Sequence, residues 1–243
     1  MAGVPEPALA QAQAQATAEG SLTLRAVQLF ALITLLSVAP AIAIMATCFP
    51  FMVTVLSILR TAVGLQQSPP NMLIVSLALF LTWFVMAPVF ETAWREGVSP
   101  LVEERVSLEE GVTRAMAPFR DFMSARVDAD TLSALQAVAP VSSAEAAPAP
   151  DAPEAGDDDA SPTPLSVLAP AFLLSEIARA FEIGFLIYLP FLLIDLVVAS
   201  ILMSMGMMMV PPAVVSLPFK LAFFVAADGW SLLAGALVRG YGA

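Results

Sequence analysis

The chain has 243 residues and a mean hydropathy of +0.85, with only 13% charged side chains where soluble globular domains carry about a quarter, so its composition is that of a membrane-inserted or lipid-associated protein. A net charge of −11 excludes a nucleic-acid partner, which would want clustered Lys and Arg. With no histidine, and Cys48 as its sole cysteine, the chain lacks the commonest general base, the commonest metal ligand and any internal disulfide.

Residues 1–24 are rich in Ala, Gln, Pro and Glu and carry no positive charge. A secretory signal begins with basic residues, so this reads as a disordered tail. Residues 25–97 read as an N-terminal helical hairpin. Its first arm, Ala26–Leu59, holds 34 uncharged residues between Arg25 and Arg60. As one helix that is about 51 Å, too long for a hydrocarbon core of about 30 Å, and Pro40 and Pro50 are the expected breaks. GLQQSPPN (64–71) is the turn, with Gly64 as helix stop. Met72–Phe90 is a second uncharged run, long enough for one crossing. Arg60, at the end of the first run, is an interface anchor or a helix C-terminal charge.

Residues 98–136 are an amphipathic helical region. Val112, Met116, Phe119 and Met123 recur at helical spacing and predict one buried face. Residues 137–164 hold six acids, many Ala and Pro, and no Lys or Arg, the composition of a disordered linker.

Residues 165–243 read as a C-terminal helical hairpin with a methionine-rich loop. Two apolar stretches, Ile183–Val210 and Ala213–Val238, flank the sequence MSMGMMMVPP (203–212). Pro190 is expected to kink the first of them. Asp195 lies inside the first stretch, and Lys220 and Asp228 inside the second. A charge at a bilayer centre costs at least ~2.5–3.5 kcal/mol, so such residues pair or face protein. If the chain turns back at Met207 and Met208, then Asp195 and Lys220 lie at one depth, about 19 Å from the tip. They are expected to form a buried salt bridge, one that a double charge reversal should restore better than either single reversal. The same counting matches Glu176 with Arg239. Glu176 and Arg179, three residues apart, also fit an ordinary helix pair. Asp228, before Gly229 and Trp230, either caps a turn or meets a partner.

Taken together, the segments LLSVAPAIAIMATCF, VLSILRTAVGLQQSPPN, LALFLTWFVMAPVF and the run from APAFLLSEIARAF through MSMGMMMVPP, SLPFK and DGW resemble the P subunit of the flagellar type III secretion export gate, the FliP family. Injectisome counterparts are similar. The resemblance spans residues 26–128 and 165–238. It departs from the family at Phe51, where a basic residue is usual, and in the long acidic linker. The family implies an all-α subunit of the bacterial inner membrane and flagellar basal body. It also implies assembly with further copies of itself, with the Q and R subunits and with the large export-apparatus proteins, around a passage for unfolded export substrates. Its apolar helices, though they look transmembrane, are then largely raised out of the bilayer and buried by neighbouring subunits rather than by lipid, with membrane lipid a further partner. No cofactor, metal or catalytic residue is implied, and the sequence has no CxxC or Gly-rich phosphate loop. An aspartyl protease built on Asp195 and Asp228 lacks the necessary motif. The other readings are a P-type subunit of a virulence injectisome and a self-contained secondary transporter.

The methionine loop then takes the role of a gasket, formed by Met205, Gly206, Met207, Met208 and Met209. Methionine is unbranched, flexible and polarizable, so a ring of such side chains re-packs around varied shapes while excluding ions. Gly206 is expected to allow close backbone approach, and Pro211-Pro212 to end the first helix. Glu176, Arg179 and Asp228 are further candidates for polar gate or interface contacts.

Overall fold

The computed structural model describes residues 44–64, 70–138 and 163–241, with isolated positions between 27 and 37. The tail over 1–24, the break at Pro40 and nearly all of the linker lie outside the described residues. The chain divides into two units, Met1–Ala43 and Ile44–Ala243. In the first, the Thr34 hydroxyl donates to the Phe30 carbonyl at 2.8 Å, one helical turn back.

The second unit is built from helices, and no strand occurs among the described residues. Helix α1 spans Phe49–Val63 with Pro50 in its first turn, where the fixed φ and missing N–H are tolerated. It buries Met52, Val55, Leu56, Leu59 and Val63, a stripe at helical spacing. Helix α2 spans Asn71–Ala93 and continues through a π-helical turn, Trp94–Val98, into a short helix, Ser99–Val102. The result is one 32-residue apolar rod, longer than the nineteen-residue run the sequence suggests.

Helix α3, Leu108–Ser124, has Ser107 as its cap: the Ser107 hydroxyl accepts from the Glu110 N–H, while Glu109 and Glu110 complement the positive end of the dipole. Its inward face differs from the expected one. Met123 is buried and Phe119 packs edge-on against Phe90 of α2, but Val112 points to solvent. Gly111 occupies the inner surface instead, because α3 lies so close to Leu101 that a side chain there would crowd it. Helix α4, Ala129–Val138, follows, with the Asp128 carboxylate accepting from the Thr131 N–H at 2.9 Å.

Helix α5 runs unbroken over Leu165–Ser204, forty residues and about 60 Å, with Pro170 and Pro190 inside it. The apolar run expected from Ile183 is therefore only the distal part of this helix. α1 packs along α5, and their side chains share a core with α2 and α7 residues that includes Met52, Leu56, Met86 and Leu237. A second cluster joins Ala46, Met123, Leu168 and Phe172. Helices α6, Pro212–Ala226, and α7, Gly229–Arg239, were one stretch in the sequence but bend by 61° at Ala227–Asp228. Two helices, Asn71–Val102 and Leu165–Ser204, are long and apolar enough to cross a membrane, and the bent α6–α7 pair makes a third if it counts as one span.

Candidate functional site

The α5–α6 turn presents the methionines. Met203, Met205 and Met207 are exposed, Met208 is 85% exposed and Met209 97%. The turn itself is tightly fixed. The Gly206 N–H donates to the Met203 carbonyl at 3.1 Å, and the Met207 N–H to the Leu202 carbonyl at 3.0 Å. That pair of bonds is a Schellman motif, with Gly206 in the left-handed region at φ +77°. The role of this glycine is therefore conformational: nothing lies within 4 Å of where its side chain would be, so no close backbone approach occurs within the chain. The prolines also act differently from expectation. α5 ends at the glycine, and Pro212 opens α6 as its first residue.

Below the loop, the Lys220 ammonium of α6 donates to Asp195 Oδ2 of α5 at 2.6 Å. The same ammonium donates to the Ala62 carbonyl at 3.0 Å. That carbonyl belongs to the last turn of α1, where no intrahelical donor remains. Ser216, one turn before Lys220 on α6, donates from its hydroxyl to Asp195 Oδ1. Lys220 and Ser216 are buried, while the Asp195 side chain keeps 27% exposure. One ammonium thus ties three helices beneath the methionine turn. The sequence reading missed Ser216 and Ala62. Ser216 was discoverable, since its i, i+4 spacing to Lys220 puts both on one helix face. Ala62 was not, because a backbone acceptor leaves no mark in the sequence.

Glu176 does not meet Arg239. Its fully buried carboxylate accepts from Arg126 Nε at 3.1 Å, from Arg179 at 3.4 Å and from the Tyr241 hydroxyl. The Arg126 guanidinium lies 3.7 Å from the centre of the Tyr241 ring and donates to the Gly240 carbonyl at 3.4 Å. Counting from the loop tip fails here because the second arm leaves its antiparallel path at the 61° bend. Next to this node, the Ser175 hydroxyl accepts from the Asp128 N–H at 2.9 Å, so α5 also anchors the start of α4. Hydrogen bonding from the Thr131 backbone and hydroxyl holds the Asp128 carboxyl below its usual range.

Asp228 sits at the bend in the left-handed conformation, and its side chain makes no cap bond to α7. Phe51, at the position where the resemblance leads one to expect a basic residue, is buried against Tyr241 with ring centres 5.2 Å apart. Among the described residues, no group of three His, Cys, Asp or Glu side chains is placed to hold a metal ion.

The FliP family model matches residues 32–237 of the chain. The flagellar biosynthetic protein FliP of Caulobacter vibrioides is 50% identical over 239 residues, covering 97% of this chain and 85% of that protein. The FliP protein of Rhizobium meliloti is 48% identical, over 92% of this chain and 86% of its own. That of Bacillus subtilis is 45% identical, over 88% and 91%.

Proposed function

The chain belongs to the FliP family, and on that premise we propose that it is a core, pore-forming subunit of the flagellar type III protein export gate. It assembles with further copies of itself and with Q and R subunits into a ring in the bacterial inner membrane, at the flagellar basal body. Large export-apparatus proteins of the same system deliver unfolded substrates to that ring. The protein supplies a passage and no chemistry.

One observation carries this reading: the loop with the most exposed methionines is also held by a hydrogen-bonded turn with a buried ion pair beneath it. Met208 and Met209 project from a Schellman turn, and the Lys220 contacts hold both flanking helices to α1. A lone apolar loop in water or lipid gains nothing from such anchoring. A seal made of several copies does, because the side chains must adapt while their backbones keep station. The exposed apolar length of α5, including Phe181, Phe185, Leu193 and Leu196, is the surface that neighbouring subunits and lipid cover.

The arrangement is tested by replacing Met208 with cysteine and treating membranes with a short bifunctional maleimide. The native Cys48 is completely buried, so labelling reports the introduced thiol. Loops meeting around an axis give cross-linked dimers of this chain, the largest product that one reactive thiol per chain allows. Loops facing away from one another give monomer only, which contradicts the reading.

A further inference from the structure

Most charges on α5, α6 and α7 are matched inside the chain. Glu176 and Asp128 balance Arg126 and Arg179, and Asp195 holds Lys220. Glu182 of α5 and Arg239 of α7 are exposed and, among the described residues, form no ion pair or side-chain hydrogen bond. They are of opposite sign, and they lie on separate surfaces. Glu182 is opposite the face of α5 that buries Ala180, Gly184 and Phe191, and Arg239 is opposite the face of α7 that buries Leu233 and Leu237. An exposed carboxylate between Phe181 and Phe185 needs a cation wherever another apolar surface covers it.

The two charges share a level. α7 returns alongside α5, its start set beside Phe191 by ring contacts through Phe224 to Trp230, with centres 6.3 and 5.3 Å apart. Its end is set beside Glu176, which accepts from the Tyr241 hydroxyl. The Arg239 guanidinium folds back along its own helix, 3.1 Å from where a side chain on Gly235 would begin. That brings it to the level of Glu182, about 9 Å beyond Glu176 along α5. Asp228 is no match for Arg239, because it lies about 16 Å away at the other end of α7.

Each charge heads a row with the same spacing. On α5, Glu182, Leu186 and Leu189 follow at intervals of four and three, all exposed. On α7, read from its end, Arg239, Gly235 and Leu232 follow at the same intervals, with Leu232 exposed. Such intervals make the seam of two helices packed at a shallow angle, the side chains of one entering gaps in the other. Set side by side at one level, Glu182 meets Arg239, Leu186 comes opposite the small Gly235, and Leu189 meets Leu232. Two α5 rows packed on each other in register would instead set Glu182 against Glu182, a like-charge contact. We propose that the row Glu182, Leu186 and Leu189 of α5 packs on the row Arg239, Gly235 and Leu232 of α7 in a second copy of this chain, with Glu182 and Arg239 as the intermolecular ion pair. Two different patches of one surface then meet, the heterologous contact that closes a ring. This packing presupposes the several copies around a passage proposed above, and names the surfaces by which they touch.

The test uses the full-length protein in membranes and a short bifunctional maleimide, with the buried Cys48 contributing no background. Glu182→Cys combined with Arg239→Cys gives a ladder of dimers, trimers and larger products, because each chain then carries both halves of the contact. Either variant alone gives monomer. With the thiols moved to Leu189→Cys and Leu232→Cys, Glu182→Arg or Arg239→Glu alone lowers the ladder yield about tenfold, and the two reversals together restore it. No ladder from the double-cysteine variant while Met208→Cys still cross-links overturns this contact and leaves the shared passage standing. No product at either place overturns both. Dimers from Glu182→Cys alone, or reversals that fail to rescue each other, also overturn the contact.

Discussion

The Lys220 ammonium lies 3.0 Å from the Ala62 carbonyl, a residue 158 positions earlier in the chain. This contact changes what a charge swap can achieve. A lysine at 195 and an aspartate at 220 restore opposite charges between α5 and α6. The swapped pair leaves no donor on α6 for the last turn of α1, and sets a carboxylate there instead.

Lys220→Met is therefore the most damaging single change at this node, because it leaves Asp195 without its cation and Ala62 without its donor. Breaking a buried pair costs about 3–5 kcal/mol, and the partial exposure of Asp195 places this one at or below the lower end. Asp195→Asn is milder, since an amide oxygen still accepts from Lys220 and Ser216. The double reversal recovers only part of the loss. Thermal unfolding in detergent ranks the variants; full recovery by the double reversal shows that the Ala62 contact contributes nothing.

Two glycines fail for different reasons. Gly206 has open space around it but φ +77°, so Gly206→Ala costs about 1 kcal/mol of backbone strain, and Gly206→Asn less. Gly97 has an ordinary φ, but a Cβ there would lie 2.4 Å from the Ala115 backbone nitrogen. Gly97→Ala must push α3 off the π-helical turn, and the loss exceeds that of Gly206→Ala. Unfolding midpoints of the two variants decide the order.

The Asp128 carboxylate stabilises the start of α4 only while ionised. Its pKa is lowered by folding, so the contribution is present above the unfolded-state value near 3.8 and is lost as pH falls through the lower folded-state value. The protection of the α4 amides, taken against their intrinsic exchange rate at each pH, falls below about pH 4 in the parent protein. In Asp128→Ala the protection is already low at pH 7, and the acid-dependent step is absent. A step of the same size in both proteins assigns it to another group.

At Glu176, Glu176→Leu leaves the Arg126 guanidinium without its carboxylate and destabilises by about 3 kcal/mol, whereas Glu176→Gln keeps an acceptor and loses less. Combining Glu176→Leu with Arg126→Met restores part of the stability by removing the orphaned charge. If the double variant is as unstable as the sum of the singles, the two residues act independently.

The all-helical class, the two long apolar elements and the place of the turn between α5 and α6 were legible because apolar run length and Gly/Pro punctuation are local signals. Axial depth was legible as well: residues equidistant from a turn share a level, and the structure holds Asp195 and Lys220 at 2.6 Å. That counting ends where the second arm bends, so Glu176 was matched with Arg239 rather than with Arg126 and Tyr241. The bend is marked in the sequence only by Asp228 and Gly229, which signal a turn without giving the change of direction. Val112 was placed inward by periodicity alone, which is blind to a glycine that brings a neighbouring helix too close for a side chain. The forty-residue continuity of α5 was hidden because Glu176, Arg179 and Glu182 interrupt its apolar run without interrupting its helix.

The central claim is that the methionine turn seals a passage. Replacing Met207 and Met208 together by alanine, with ion leak and secretion of flagellar proteins measured separately in the same cells, tests it most directly. The account predicts a raised leak with secretion largely retained, because the seal is thinned while the passage stays open. An unchanged leak in a variant that still assembles and secretes would contradict it.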